Sequence, residues 1–252
     1  LSLSAEAVVV NGDERPVGII REQRVRELLF CPFWFSLMQN PTIGVLAHAG
    51  EIHVRLTCKG ADPAIITRML DDLEAKIRER LGPLIFGRDD EKLEALVGQL
   101  LRGRKATLAV AESCTGGLLA SRLTDISGSS AYFERGMVTY STAAKEEILG
   151  GPAEILRESG AVSLPVVRAM AESVRRRSGT TFGLAITGIA GPTGETPGKP
   201  VGLVYIALAW DGGDLAREYR FHGGRELIKY RATQMALEML RRHLMGVPIT
   251  ES

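Results

Sequence analysis

The segment that most constrains this chain is 111–117, Ala-Glu-Ser-Cys-Thr-Gly-Gly, where an apolar run turns directly into a helical pattern. Residues 106–111 are typical of a short buried strand, and residues 118–123 have the apolar spacing of a helix. The two glycines let the backbone approach a ligand closely, and a helix start leaves unpaired N–H groups. Because this turn also carries a hydroxyl and a thiol, at Ser113 and Cys114, we expect the chemistry of the protein here.

The composition narrows the class of protein. With 252 residues, 45% hydrophobic and 24% charged, the chain has ordinary globular values and room for one large domain or two modest ones. A net charge of +1 gives no general attraction to nucleic acid or to an anionic membrane. The three cysteines form no Cys-x-x-Cys pair, no secretory signal pattern is apparent, and the longest apolar stretch, 28–38, is too short to span a bilayer. We therefore expect a reduced, cytoplasmic protein.

The first part of the chain is expected to form a small α+β unit at residues 40–88. Residues 1–39 contain a possible hairpin and form either an edge or linker element or an interface with a partner, so their role is left open. A helix is predicted to begin at Asp62-Pro63, which supplies a carboxylate cap and a proline at the first helical position, and to stop at Gly82-Pro83. Strands are predicted at 6–10, 17–20, 42–47, 51–57 and 84–86.

The second part, residues 91–248, alternates strands and helices. This alternation predicts an α/β fold of three layers, with a sheet that is at least partly parallel. Strands are predicted at 106–111, 137–141, 182–187, 201–209 and 216–221. Helices are predicted from residue 91 and at 117–125, 142–149, 165–177 and 225–244.

A second glycine-rich loop, residues 187–200, also follows an apolar strand. It is not a P-loop, because Pro200 stands where Ser or Thr is required, and its glycines at 188, 191 and 194 lack the dinucleotide-binding spacing. Ligands of open α/β folds bind at the carboxyl edge of the sheet. The two loops therefore favour one pocket at that edge, and a long surface loop is the alternative.

The residues that could activate a nucleophile are few. The chain has no Gly-x-Ser-x-Gly motif, and its four histidines have no spacing typical of a triad or a metal site. A serine at position 113 would then need another base, and a partly buried lysine with a lowered pKa can serve. Lys145 is the best candidate, since it lies one turn into a helix after a strand end, although a solvated lysine remains the alternative. Cys114 is either a small packed residue or a rival nucleophile.

Several motifs, in order along the chain, resemble the CinA family, and together they cover about residues 91–245. They are Ala-Glu-Ser-Cys-Thr-Gly-Gly at 111–117, Gly-Ser-Ser-Ala-Tyr-Phe-Glu-Arg-Gly at 128–136, Val-Thr-Tyr-Ser at 138–141, Lys145, Gly-Ala-Val-Ser at 160–163, Thr-Gly-Ile-Ala-Gly-Pro at 187–192 and Lys-Pro-Val-Gly at 199–202. The resemblance implies a three-layer α/β/α domain that hydrolyses the carboxamide of nicotinamide mononucleotide to the acid and ammonia, in pyridine nucleotide salvage. The family's serine nucleophile and lysine base correspond to Ser113 and Lys145, and Tyr140 either relays a proton or orients the lysine.

The remaining site assignments follow from this resemblance. Backbone N–H groups around Thr115 and Gly116 are expected to hold the oxyanion. Amide hydrolysis by a serine needs no metal and no cofactor, so neither is predicted. We expect a small-molecule nucleotide as the partner, no nucleic acid and no membrane, and a homo-oligomer in the form of a dimer. The residues expected to contact the phosphate and ribose of the nucleotide are Thr187, Gly188, Gly191 and Arg225.

Residues 40–51 are similar to the KH-like middle domain of longer CinA proteins, with Ala49 where proline is usual. No Gly-x-x-Gly loop occurs between residues 42 and 86, so RNA binding is not inferred. Longer members begin with a molybdopterin-binding-like domain that hydrolyses ADP-ribose. Residues 1–39 are too few to form it, and we expect that second activity to be absent.

A nucleotide-binding or regulatory module without turnover is the alternative function.

Overall fold

The computed structural model describes residues 2–10, 40–48, 50–149 and 153–248. The chain divides into two compact units, with the boundary between Lys92 and Leu93. No helix within these described ranges is long and apolar enough to cross a membrane.

The first unit is a four-stranded antiparallel sheet with one long helix packed on it. The sheet order is β2-β3-β1-β4. Its elements are β1 (Ser2–Val10), β2 (Thr42–His48), β3 (Glu51–Lys59), α1 (Pro63–Leu81) and β4 (Ile85–Arg88). The α+β, KH-like character agrees with the sequence prediction, but the predicted bounds of 40–88 leave out β1, which pairs with both β3 and β4 inside the sheet. The expected hairpin strand at 17–20 lies outside the described residues.

Helix α1 begins where the sequence predicts. The Asp62 carboxylate accepts a hydrogen bond from the Ala64 N–H at 2.8 Å, and Gly82 follows the last helical residue. Alternate residues of β3 face the helix because successive side chains of a strand point to opposite faces. The buried core of the unit consists of Ile52, Val54, Leu56, Cys58, Ile66, Leu70, Leu73, Ile77, Leu81 and Ile85.

The second unit is a mixed α/β domain, as predicted, with a five-stranded sheet in the order β6-β5-β7-β8-β9. Strand β5 pairs in parallel with both β6 and β7, whereas β8 and β9 pair antiparallel. The elements are α2 (Leu93–Gly103), β5 (Leu108–Glu112), α3 (Leu118–Thr124), β6 (Phe133–Val138), α4 (Thr142–Leu149), α5 (Ala153–Ser159), α6 (Leu164–Ser178), β7 (Phe182–Gly188), β8 (Leu203–Trp210), β9 (Gly213–Arg220) and α7 (Arg225–Met245).

Helices flank this mixed sheet. Helix α6 packs through Val167, Met170 and Val174 on small residues of the strands, among them Ala109 and Ala185. Helix α7 contacts β7 and β8 and also packs against α2 and α3. The small strand residues let α6 lie close to the sheet, which keeps the strands between the helices buried.

The parallel arrangement of β6, β5 and β7 brings the carboxyl ends of three strands to one edge. The Thr139 N–H donates to Glu112 O at 2.8 Å, and the Ser113 N–H donates to Ile186 O at 3.0 Å. These two hydrogen bonds join the residue after β6 to the end of β5, and the residue after β5 to the end of β7. The expected meeting of the two glycine-rich loops at one sheet edge is therefore present.

Two elements differ from the sequence prediction. Strand β6 was expected at 137–141 but runs from Phe133 to Val138. Most of its side chains are exposed, as expected for an edge strand, so no apolar pattern marks its beginning. The short helix α5 was missed, because seven residues directly after Gly-Gly-Pro at 150–152 are indistinguishable from a loop by periodicity.

The contact between β7 and α6 gives a stability prediction. A Cβ atom on Gly183 would lie 2.1 Å from the Ala171 backbone oxygen of α6. Gly183→Ala should therefore lower the free energy of unfolding by about 3 kcal/mol, because backbone cannot yield as a flexible side chain can. Urea denaturation measures the change. Gly103→Ala is the control, since a Cβ there meets nothing within 4 Å; equal midpoints for the two variants would contradict the packing described.

Candidate active site

The centre of the site is a buried hydroxyl–amine pair. Lys145 Nζ donates a hydrogen bond to Ser113 Oγ at 3.0 Å. Ser113 directly follows β5 and is 6% exposed, and Lys145 lies in α4 and is 4% exposed. The two residues are 32 positions apart, so the pairing depends on the adjacent, parallel β5 and β6. The sequence-based pairing of Ser113 with Lys145 is therefore matched by direct contact.

Lys145 is held in an environment that favours the neutral amine. Burial lowers the pKa of its ammonium below the ordinary value of 10.5, and the nearby Cys114 opposes this shift. Its second contact is the Tyr140 carbonyl oxygen, at 3.4 Å, and no carboxylate of the described residues hydrogen-bonds to the ammonium. A neutral amine within hydrogen-bonding distance of a hydroxyl can accept its proton, which is what a general base must do.

Cys114, the rival nucleophile, has the opposite character. Burial raises the pKa of its thiol to about 12, while its own backbone N–H and the nearby Lys145 and Arg225 act against the rise. The thiolate is the reactive form of cysteine. At neutral pH Cys114 is therefore an unreactive thiol, and the structure favours Ser113 as the nucleophile of this turn.

The N-terminus of α3 is occupied by the chain itself. The buried carboxylate of Glu112 accepts hydrogen bonds from the N–H groups of Gly117 at 3.1 Å, Leu119 at 3.0 Å and Ala120 at 2.8 Å. The expectation that this helix start offers unpaired N–H groups to a ligand is wrong for these positions. Sequence reasoning missed the role of Glu112, although a glutamate just before a glycine turn was visible.

Two amides in the turn remain available. The Gly116 N–H donates to Ser113 O at 3.1 Å. Within the described residues, the N–H groups of Cys114 and Thr115 donate to no other residue, and the buried Thr115 hydroxyl has no hydrogen-bond partner. Of the two residues predicted to hold the oxyanion, Thr115 has a free amide and Gly116 does not. The Cys114 amide, which the sequence analysis did not name, is the second N–H of this turn that bonds to no other described residue.

Glycine is required in this turn for conformational reasons. Gly116 has φ +62° and Gly117 has φ +96°, which side-chain-bearing residues rarely adopt. A Cβ atom on Gly116 would lie 3.9 Å from Lys229 Nζ. Lys229, on α7, was not predicted from the sequence, although it stands four residues after Arg225 on the same helix.

Arg225 joins three parts of the site edge. Its Nη2 donates to the Tyr140 hydroxyl at 2.8 Å and its Nη1 donates to Gly191 O at 2.7 Å. Tyr140 is 58% exposed, so its phenol points toward Arg225 while its carbonyl contacts Lys145. Arg225 thus connects α7 with the loop after β6 and the loop after β7. Tyr140 contacts both Arg225 and Lys145.

The other predicted binding residues of the 187–200 loop make internal contacts. The Thr187 hydroxyl donates to Ala161 O at 2.9 Å. A Cβ on Gly188 would lie 2.6 Å from Leu203 O, so only glycine fits. In the structure both residues support the loop, and their direct contact with a nucleotide stays a prediction.

The side chains that commonly bind metals are dispersed. The part of the chain that the structure describes contains no group of three or more His, Cys, Asp or Glu residues able to hold a metal ion. His53 hydrogen-bonds to Glu51, and His243 packs against Trp210 with a ring-centroid distance of 4.2 Å. Neither histidine is hydrogen-bonded to Ser113.

The fold and site together define a mixed α/β protein with a serine–lysine pair at the carboxyl ends of parallel strands. Residues 90–244 match the model of the CinA C-terminal domain, and residues 21–87 match that of the damage-inducible protein CinA KH domain. The chain therefore belongs to the CinA family, as its motifs predicted.

Known relatives agree with this assignment. A CinA-like protein of Syntrophus aciditrophicus is 52% identical over 207 residues, which cover 82% of this chain and 49% of that protein. This chain thus spans about half the length of that relative. The competence/damage inducible protein CihA from Agrobacterium tumefaciens, whose crystal structure is known, has 43% sequence identity to this chain. The two structures superpose with a TM-score of 0.58 over 59% of this chain and 91% of that one. A CinA superfamily protein from Klebsiella pneumoniae is 34% identical, with TM-score 0.60, covering 61% and 96%.

The Glu112 hydrogen bonds generate a prediction about the turn. Glu112→Ala should lower the free energy of unfolding by about 1–3 kcal/mol, because three N–H groups lose a buried acceptor. Urea denaturation measures this loss. Glu158→Ala removes an exposed carboxylate from α5 and serves as the control. If both variants unfold at the same midpoint, Glu112 does not stabilise the turn.

Proposed function

We propose that this protein hydrolyses the carboxamide of nicotinamide mononucleotide to nicotinate mononucleotide and ammonia, in pyridine nucleotide salvage. The observation that carries the proposal is the 3.0 Å hydrogen bond between Ser113 Oγ and the buried amine of Lys145. That pair supports hydrolysis by acyl transfer, and the identity of the nucleotide follows from the resemblance to the CinA family. The names of the relatives specify no reaction.

The first half of the reaction forms an ester. The neutral Lys145 amine takes the proton of Ser113 Oγ as the oxygen attacks the carboxamide carbon. The negative charge then develops on the former carbonyl oxygen, where the free N–H groups of Cys114 and Thr115 would donate to it. One such donor lowers the barrier by about 3 kcal/mol. The C–N bond breaks as the Lys145 ammonium returns its proton to the leaving nitrogen, which departs as ammonia.

The second half releases the acid. A water molecule gives its proton to the neutral Lys145 and attacks the ester carbon through the same oxyanion. The bond from carbon to Ser113 Oγ breaks, and the serine recovers its proton from Lys145. The product, formed as the carboxylic acid, gives its proton to solvent water and leaves as the carboxylate, and the enzyme returns to its starting state without any redox change.

The positions of Tyr140 and Arg225 suggest orienting roles. The Tyr140 carbonyl accepts from Lys145 Nζ at 3.4 Å, and its hydroxyl accepts from Arg225 Nη2 at 2.8 Å. Tyr140 therefore orients the lysine through its backbone, while its phenol holds Arg225 at the mouth of the site. A direct proton relay through the phenol is the less favoured alternative, because that hydroxyl contacts Arg225.

The direct test of this function is ammonia release from nicotinamide mononucleotide. The wild type should release ammonia, and Ser113→Ala should lose at least about 10³-fold in rate because the nucleophile is gone. Ser127→Ala, an exposed serine outside the site, is the matched control. A folded wild type that binds the nucleotide without releasing ammonia would favour the non-catalytic module.

The state of Lys145 gives a pH prediction. Lysine acts as a base only when neutral, so the rate should rise with pH and level off above the pKa of Lys145. Because burial lowers that pKa, the midpoint should fall below 10.5. The pH profile of kcat/KM measures this midpoint. Lys145→Arg should be inactive at every pH, since arginine stays protonated; an active Lys145→Arg enzyme would exclude the lysine as the base.

The buried thiol gives a separate test of the rival nucleophile. Cys114→Ala should keep activity within about 10-fold of wild type, because an unreactive thiol contributes only packing. Iodoacetamide should label Cys114 far more slowly in the native protein than after unfolding in urea, as peptide mass spectrometry would measure. Loss of activity in Cys114→Ala comparable to that in Ser113→Ala would instead assign the chemistry to the thiol.

A further inference from the structure

A cationic side chain without a counterion lies over the turn that follows Ser113. Lys229 Nζ is 3.9 Å from the position that a Cβ atom would occupy on Gly116. Lys229 is only partly exposed, and it makes no hydrogen bond or ion pair with any residue that the structure describes. An ammonium whose donors are not used by the protein is able to hydrogen-bond an anion that binds beside it.

No carboxylate among the described residues forms an ion pair with Lys229, and Glu226, three residues earlier in the first turn of α7, is exposed and does not pair with it. The Glu112 carboxylate, the buried acid of the turn, already accepts three backbone N–H groups. Arg225, four residues earlier on the same face of α7, adds a second positive charge. Arg225 uses one N–H of Nη1 on Gly191 O and one of Nη2 on the Tyr140 hydroxyl, and both acceptors are uncharged. Lys229 differs from Arg225 in that no described residue accepts a hydrogen bond from it.

The surrounding polar groups also suit an anion. Side chains of a helix point back toward its N-terminus, so Lys229 covers the first turn of α7. That helix begins after Gly224, which has no side chain to cap its first N–H groups. An ammonium and an uncapped helix start are donors of the kind that a phosphate monoester accepts from.

We propose that Lys229 binds the phosphate group of the substrate and makes the site selective for a nucleotide over the unphosphorylated nucleoside. The inference rests on the proposed amide hydrolysis for the identity of the substrate. It differs from the sequence-based assignment of phosphate binding to Arg225. In this proposal Arg225 connects the loops that follow β6 and β7 through its hydrogen bonds, and the Lys229 ammonium binds the phosphate.

The test compares two substrates that differ only in the phosphate. For nicotinamide mononucleotide, Lys229→Met should raise KM by about 10- to 100-fold with little change in kcat, as expected for loss of one charge-assisted hydrogen bond. For nicotinamide riboside the same variant should behave like wild type. Lys229→Arg should restore most of the lost affinity. Lys105→Met, an exposed lysine at the opposite end of β5, is the control for removal of a positive charge.

Two results of this comparison would overturn the proposal. If Lys229→Met lowered kcat/KM equally on both substrates, Lys229 would act at the reacting amide. If its KM for the nucleotide were unchanged, Lys229 would not contact the substrate. Either result overturns the proposal. If wild type hydrolyses neither compound, amide hydrolysis fails on its own. Phosphate binding is then tested separately, because inorganic phosphate should raise the melting temperature of wild type but not of Lys229→Met. Equal stabilisation of both proteins would overturn the inference.

Discussion

The rest of the site depends on the hydrogen bonds that the Glu112 carboxylate makes to the start of α3. A buried carboxylate is costly unless donors surround it, and here the helix N-terminus supplies them. In return the carboxylate holds Gly117, the second glycine of the left-handed turn that follows Ser113, at the start of α3. Because the chain satisfies its own helix start, the donors left for a ligand are the amides of Cys114 and Thr115, directly beside the nucleophile.

Burial shifts the pKa values of two titratable side chains of this site, Lys145 and Cys114, in opposite directions. Removal from water disfavours the charged form of any group, so it lowers the pKa of the Lys145 ammonium and raises that of the Cys114 thiol. The neutral form of an amine is its basic form, whereas the neutral form of a thiol is its unreactive one. In the proposed reaction, the same burial therefore favours Lys145 as a base for Ser113 and disfavours the adjacent cysteine as a nucleophile.

The sequence predicted the site best where candidate reactive residues directly follow a predicted strand. The Ser113–Lys145 pair could be predicted because each residue follows a strand of the α/β pattern, and the carboxyl ends of parallel strands share an edge. The capping by Glu112 could not, because its bonds from side chain to backbone leave no trace in hydrophobic periodicity. Lys229 was missed for a related reason: a lysine on a helix looks solvated until the fold places it over a turn. Strand β6 was misplaced because it is an exposed edge.

The central claim is that Ser113 forms a covalent ester during turnover, and mass spectrometry tests it most directly. The protein would be mixed with nicotinamide mononucleotide, quenched in acid within milliseconds and digested, and the peptide containing residues 106–122 sequenced in the spectrometer. The account predicts the added acyl mass on Ser113 and its loss in Ser113→Ala. Acyl mass on Cys114, or ammonia release at the wild-type rate by Ser113→Ala, would contradict it.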